Sequence, residues 1–419
     1  IVGWMKDMPA EAWEKGRSVE ILRNNIFTDK QESFVAAMDS TGRFSVRVPL
    51  VNTSEIYIDI GRKGINTVVE PGETYFLLHD FSTGHVLFMG EDVRFQNELQ
   101  AHPPLYVDGY LRKGQGTVDE FRTQMEEKYR HAVEELSRRV GEHSNLSRRY
   151  RYFMESFALT GLGRSMMQAR FAVPDWQLPE DYVDFVRTKV WQRPPKPYTL
   201  CQNFGILMRD YIGHSSKAKD KARGNAVFNA FKRLRQQGEI SMTEEEANTV
   251  EAYQLAIKEL QEKLNAEPSD SLRQRMVVEF GKSDLGQRFI SLFKRFEDVL
   301  NEEVLADNID FWKENAESAG CDSILCQIHL ARNLYRQIDN IRKPLPDKMM
   351  TKAEREIRLE GGWDIVSREQ EKYVAIQNRD LSGVGSLKSA EDVKDVTGGE
   401  ALLRKLTEPY RGKLVLLDI

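Results

Sequence analysis

Short runs in which apolar and polar side chains alternate fill residues 18 to 90. A period of two is typical of strands with one buried face. We predict strands at Val19–Leu22, Ser33–Met38, Phe44–Val48, Ile56–Ile60, Thr67–Val69, Thr74–Leu78 and His85–Met89. Turn sequences rich in Gly, Asp and Ser separate these runs. Strands of about five residues at this spacing predict a small antiparallel β-sandwich or barrel, which we assign to residues 1–90.

A helical period replaces the alternation from residue 91 to about residue 380. One apolar stripe at helical spacing consists of Val250, Tyr253, Ile257, Leu260 and Leu264. A second consists of Ile324, Ile328, Ala331, Tyr335 and Ile338, with Asp322 or Ser323 placed as its N-cap. Prolines predict helix breaks at Ala172–Asp175, Arg193–Pro197 and Lys343–Pro346. Residues 91–380 therefore predict a long, mainly helical domain, and the fold class is α+β.

The last forty residues follow a third pattern. Residues 381–399 are rich in Gly, Ser, Asp and Lys and predict an exposed linker. Glu400–Leu406 predicts a short amphipathic helix, and Gly412–Ile419 predicts a strand buried on both faces. Such a strand needs neighbours. Either it joins a sheet elsewhere in the chain, or residues 400–419 begin a further α/β domain.

Composition narrows the classes of partner. The 60 basic and 65 acidic side chains give a net charge of -5, which argues against a nucleic-acid-binding role. No apolar stretch approaches the ~18 residues of a membrane span. The chain opens at Ile1 rather than Met, which fits a cleaved export signal but also the boundary of an expressed segment.

Cys321 and Cys326 are the candidate redox pair, and Cys201 is the third cysteine of the sequence. In one continuous helix, residues at this separation have Cα atoms beyond about 7 Å, too far for a disulfide. Gly320 and Asp322 indicate, however, that a helix begins after Cys321, which would leave that residue free to fold back. We treat Cys321–Cys326 as a candidate disulfide, with a buried free thiol at Cys326 as the alternative. The sequence contains no Cys-x-x-Cys and therefore predicts no thioredoxin-type dithiol chemistry within these residues.

Two other motifs resemble a dinucleotide-binding site and a metal site, but neither is complete. Gly161-Leu162-Gly163 resembles half of a dinucleotide fingerprint, but the third glycine is missing and the segment lies in a helical pattern. His131 and Glu134 share a helix face, but a carboxylate metal site needs a second Glu-x-x-His on a partner helix. We therefore predict no catalytic residue, no metal and no cofactor.

Four segments together resemble one family. Val35–Val46, with Asp39-Ser40-Thr41-Gly42-Arg43-Phe44, is similar to a D-x-x-G-x-F hairpin in the sandwich domain that precedes thioredoxin-like modules in Bacteroidetes envelope proteins. Val69–Thr74 resembles the V-E-P-G-E turn of the same domain, and Val86–Gly90 its closing strand. Ala401–Ile419 resembles the lead-in of TlpA/ResA-type thioredoxin-like domains, where a G-K-x-V-L-L-D-F strand runs into Trp-x-x-Trp-Cys-x-x-Cys.

The resemblance implies a function and a location. It implies the non-redox front portion of a periplasmic or cell-envelope thiol-disulfide oxidoreductase, with thiol- or disulfide-containing proteins as partners. This portion would position the thioredoxin-like domain and contribute to partner recognition. The alternative is a non-catalytic envelope binding or scaffold protein whose strand Leu414–Leu417 completes the sandwich sheet.

Overall fold

The computed structural model describes residues 1–60, 64–193, 196–220, 225–379 and 396–412. The chain forms two compact units, Ile1–Gln370 and Glu371–Ile419. The first unit contains both the sheets and nearly all of the helices. The α+β class is confirmed, whereas the domain boundaries at residues 90 and 380 remain predictions.

Eight strands form two four-stranded sheets. They are β1 Val2–Lys6, β2 Ser18–Asn25, β3 Lys30–Ala37, β4 Arg43–Ser45, β5 Ser54–Asp59, β6 Gly64–Val69, β7 Phe76–Asp80 and β8 His85–Met89. One sheet has the order β4-β1-β7-β8 and the other β3-β2-β5-β6. Strand β1 runs parallel to β7, and the other five pairs of neighbouring strands are antiparallel. The expectation of a purely antiparallel sandwich is therefore wrong for the β1–β7 pair.

The two sheets enclose one apolar core. Both sheets contribute to it, for example through Met5 and Leu77 on one side and Ile21 and Ile56 on the other. Side chains alternate between buried and more exposed positions along most of these strands, as the period of two predicts. The predicted sandwich is confirmed in its location and in its layers.

The turn before β4 shows why its residues are needed. One Asp39 carboxylate oxygen accepts hydrogen bonds from the amides of Thr41 and Arg43 at 2.8 and 3.0 Å. Gly42 has φ +82°, and a Cβ added there would lie 2.4 Å from the carbonyl oxygen of Met5. Only glycine accepts both this backbone conformation and this close approach. Phe44 then enters the core.

Helix α2, Arg94–Ala101, joins the edges of both sheets. Its buried Gln96 donates to the carbonyl of Val68 on β6 at 2.9 Å. Asn97 accepts from the amide of Phe88 on β8 at 2.8 Å and donates to its carbonyl at 2.9 Å. Side-chain amides thus satisfy strand backbone groups that would otherwise be unpaired at the sheet edge.

The remaining chain is helical. The other helices are α1 Ala10–Lys15, α3 Val118–Glu142, α4 Arg148–Gln168, α5 Glu180–Val186, α6 Gln202–Asp220, α7 Ala226–Gln237, α8 Glu244–Ala266, α9 Asp270–Lys282, α10 Asp284–Arg295, α11 Glu297–Ser318, α12 Ser323–Ile341, α13 Asp347–Glu356, α14 Glu360–Gln377 and α15 Gly399–Thr407. Short 3-10 segments occupy Ala169–Ala172, Pro174–Trp176 and Glu408–Tyr410, and Arg187–Trp191 is π-helical. The long helical region is confirmed.

Helix ends fall where the sequence predicts them. Asp322 caps α12, since its side chain accepts from the amide of Leu325 at 2.9 Å. Helix α4 ends before Pro174, and the Lys343–Pro346 break separates α12 from α13. The predicted break at Arg193–Pro197 includes residues 194–195, which lie outside the described residues.

The predicted stripes are largely correct. Ile328, Ala331 and Ile338 of α12 are buried, but Ile324 in its first turn is 41% exposed. In α8, Val250 is buried and Tyr253 and Ile257 pack against the same cluster.

The second unit contains the predicted short amphipathic helix, observed as α15. The predicted linker lies mostly, and the predicted strand almost wholly, outside the described residues, which omit 380–395 and 413–419.

Candidate functional site

The turn between β2 and β3 enters the helical region and forms the centre of the candidate site. Asp29 in this turn has φ 58°, a left-handed conformation that Asp tolerates better than most residues. The side chain of Arg332 on α12 donates to the carbonyl of Ile26 at 3.0 Å and to that of Gly205 on α6 at 3.0 Å. One buried guanidinium therefore joins the sandwich to two helices.

A network of charged groups surrounds this contact. Asp29 pairs with Arg209 at 2.8 Å and lies 3.4 Å from Arg332. Asp210, whose side chain is fully buried, accepts from Arg209 and Arg170, both at 2.9 Å, and from Gln168 at 2.7 Å. The network links the β2–β3 turn with α6, α12 and the end of α4.

Burial is the largest influence on the pKa of the Arg332 guanidinium. It lowers the pKa of Arg332 to about 10, and the nearby Asp29 carboxylate opposes that shift. Arg332 is still cationic at neutral pH. A buried cation of this kind is tolerated because carbonyl groups and a carboxylate surround it.

A cavity of about 300 Å³ lies beside the network, lined by Asp29, Lys30, Cys201, Arg209 and Arg332 among others. Its charges are balanced, because Asp29 and Asp210 face the arginines and Lys30 pairs with Asp339 at 2.8 Å. A neutral, internally paired wall offers no excess charge to a charged ligand. The arrangement instead fixes how the sandwich packs against the helices.

Glu55 and Cys201 extend this junction. The buried Glu55 carboxylate accepts from the amide of Gln202 at 2.8 Å, and the Thr199 hydroxyl donates to the carbonyl of Thr53 at 2.6 Å. Burial raises the pKa of Glu55 to about 7. Burial, and next the charge of Glu55, raise the pKa of the Cys201 thiol well above its usual value. Cys201 is therefore a protonated thiol and a poor nucleophile.

The candidate pair Cys321 and Cys326 lies at the start of α12. Both are free thiols in the structure, and Cys326 Sγ is 3.8 Å from the carbonyl oxygen of Cys321. Burial raises the pKa of Cys326 to about 11 and that of Cys321 further. Neither thiol has the lowered pKa that dithiol exchange requires. The disulfide between them stays a prediction.

The glycine pair in α4 serves helix packing. A Cβ at Gly161 would lie 2.6 Å from the carbonyl oxygen of Val107, and one at Gly163 would lie 2.8 Å from Val190. Because these two positions have no side chain, two segments can approach α4 closely. They are the chain between α2 and α3 and the π-helical segment. His131 and Glu134 form an exposed pair 3.4 Å apart on α3. Within the described ranges, no group of three or more His, Cys, Asp or Glu side chains could hold a metal.

The sequence reasoning missed Arg332, Asp210 and Glu55. A signal was present for two of them. Arg332 is four residues after Ile328, on the apolar stripe of α12, and Asp210 lies between the apolar residues Met208 and Tyr211. A charged residue at an apolar position of a helix indicates a buried ion pair. Glu55 gives no such signal, because it is the second residue of β5 and follows the polar residues Asn52, Thr53 and Ser54.

Comparison with known proteins identifies no relative of this chain. Protein-family models, curated proteins and solved structures were each searched, and none matches this chain. In the part of the chain that the structure describes, no helix is both long and apolar enough to cross a membrane.

Proposed function

We propose that this chain is the non-redox front portion of a cell-envelope thiol-disulfide oxidoreductase, which positions a thioredoxin-like domain and contributes to partner recognition. The observation that carries the proposal is the resemblance of Asp39–Phe44, Val69–Thr74 and Ala401–Ile419 to the sandwich and lead-in of that family.

The sandwich geometry supports the proposal at two of these segments. Asp39, Gly42 and Phe44 each have a specific role in the hairpin before β4, as an amide acceptor, a left-handed glycine and a core residue. In the second segment Gly72 has φ +82°, and Glu70 pairs with Arg149 of α4. The residues that carry the resemblance are therefore ones that this fold needs.

The thiols support a non-redox role for the described portion. Burial raises the pKa of all three cysteines, so none is an activated nucleophile at neutral pH. The Asp29–Arg332 network supports a positioning role, since paired buried charges hold the sandwich against the helices in one arrangement.

Insulin reduction tests the redox assignment. Turbidity from insulin reduced by dithiothreitol is followed with the polypeptide encoded by the whole reading frame and with residues 1–419 alone. The whole-frame protein should accelerate the reduction, whereas residues 1–419 should leave the uncatalysed rate unchanged. As a control, Cys321→Ser with Cys326→Ser in the whole-frame protein should keep the full rate. Acceleration by residues 1–419, or none by the whole-frame protein, would contradict the proposal.

A non-catalytic scaffold is the second candidate function. The observation that favours it is the outer edge of β3, which pairs with β2 on one side only among the described strands and carries Val35 at 64% exposure. An apolar strand such as Leu414–Leu417 could complete such a sheet. Deletion of residues 400–419 separates the two candidate functions, because it should destabilise the sandwich only if Leu414–Leu417 completes a sandwich sheet.

A further inference from the structure

A groove of about 520 Å³ lies on the helical region between α3 and α4, away from the charged network. Its floor is apolar, with the buried Leu136, the partly buried Leu159 and the exposed Val133. The volume falls within the ~300–1,000 Å³ that is typical of small-molecule sites.

Two arginines line the groove without a carboxylate partner among the residues that the structure describes. Neither Arg151 nor Arg193 has an ion pair within 4.0 Å in the described part of the chain, and the Arg151 Nε is buried with no hydrogen-bond partner there. A partly buried guanidinium without a counter-charge is unfavourable, so a carboxylate that contacts its terminal nitrogens would stabilise it. Glu155 is the one acid among the lining residues, which leaves the groove with an excess of positive charge.

Tyrosine hydroxyls add neutral polar groups beside the two cations. Tyr129 lies beside Arg193, and Tyr152 lies beside Ser156, in the groove lining. Burial raises the pKa of Tyr129, with the Arg193 charge opposing, as expected for a partly dehydrated wall. Dehydration strengthens the attraction between a guanidinium and an anion.

We propose that this groove binds a small organic carboxylate with an apolar body, whose carboxylate contacts Arg151 and Arg193 and whose body covers Leu136 and Leu159. A planar guanidinium matches a carboxylate in two parallel hydrogen bonds. A polyanion is disfavoured, because α3 carries seven acidic against five basic side chains over its whole length. The inference rests on the groove alone and is independent of the redox assignment.

Calorimetric titration of residues 1–419 with 4-phenylbutyrate tests the inference, with 4-phenylbutanol as the neutral analogue. The acid should bind saturably and the alcohol at least about tenfold more weakly. Arg151→Gln and Arg193→Gln should each weaken binding of the acid by about tenfold, while the alcohol is unaffected.

Arg148→Gln is the matched control. It removes the same charge from an exposed position one turn earlier on α4, outside the groove lining, and should change the affinity less than twofold. Three results would overturn the inference: no saturable binding at millimolar acid, equal binding of acid and alcohol, or equal loss in Arg148→Gln. If Arg151→Gln lowers the melting temperature, the more exposed Arg193→Gln decides alone.

Discussion

At the scale of single residues, Gly161 shows how one missing side chain permits a helix contact. A Cβ at this position would lie 2.6 Å from the Val107 carbonyl oxygen, and this neighbour is backbone that cannot rotate away. Gly161→Ala should therefore lower the free energy of unfolding by about 1–3 kcal/mol, measured by urea denaturation.

Gly213→Ala is the matched control for Gly161→Ala. Gly213 also lies inside a helix, but nothing comes within 4 Å of its added Cβ, so the substitution should stabilise by about 1 kcal/mol through helix propensity. Equal effects of the two substitutions would show that close packing at Gly161 is not the cause.

The buried Glu55 carboxyl predicts that the free energy of unfolding depends on pH. Burial raises its pKa from 4.5 to about 7. Because the folded state binds the proton more tightly than the unfolded state, stability falls as pH rises from about 4.5 to 7. Above pH 7 the ionised Glu55 lowers the free energy of unfolding by roughly 3 kcal/mol relative to its value at low pH. Glu55→Gln should thus stabilise the protein at pH 8 by up to about 3 kcal/mol and have little effect at pH 5.

Urea denaturation of both proteins at the two pH values measures this difference. The exposed Glu91→Gln serves as the control for surface substitution and should change the free energy of unfolding by less than about 0.5 kcal/mol. A Glu55→Gln effect that is the same at both pH values would contradict the account of Glu55.

At the scale of elements, Asp210 holds α6 to the end of α4. Its fully buried carboxylate has three side-chain donors, on Arg209, Arg170 and Gln168. Asp210→Ala would leave the largely buried Arg170 without its carboxylate partner and should cost about 3–5 kcal/mol of unfolding free energy.

Asp184→Ala is the comparison for Asp210→Ala. Asp184 pairs with Arg187 at 2.6 Å, but both side chains are nearly half exposed, so the loss should stay below about 1 kcal/mol. A small loss in Asp210→Ala, comparable to that in Asp184→Ala, would refute the structural role of the network.

Much of the element pattern could be predicted because it is local. Alternation marks seven of the eight strands, and Asp322 and the prolines mark helix ends. Strand β1 was missed because Val2–Lys6 contains Gly3 and pairs with β7, some seventy residues away. Ile324 fits the α12 stripe by spacing, yet it is 41% exposed, whereas Leu325 in the same turn is fully buried.

At the scale of the whole molecule, the site was harder to predict than the fold. Asp29, Arg209 and Arg332 come together only through tertiary packing, from positions more than a hundred residues apart in sequence. The thiol pKa values likewise depend on burial, which single positions do not reveal. Helical spacing could predict that Arg332 is buried, but it could not predict which residues contact it.

Truncation separates the two candidate functions. If residues 400–419 belong to a further domain, their deletion should change the melting temperature of the sandwich by less than about 2 °C. If Leu414–Leu417 completes a sandwich sheet, deletion should lower it by several degrees, about 4 °C or more. Circular dichroism at a strand-sensitive wavelength measures the transition.

We proposed above that this chain precedes a thioredoxin-like redox domain, and the coding sequence past the Ile419 codon is the decisive test of that proposal. The account predicts that the segment resembling G-K-x-V-L-L-D-F leads straight into a Cys-x-x-Cys motif. A stop codon directly after Ile419, or a continuing frame without that motif, would contradict it.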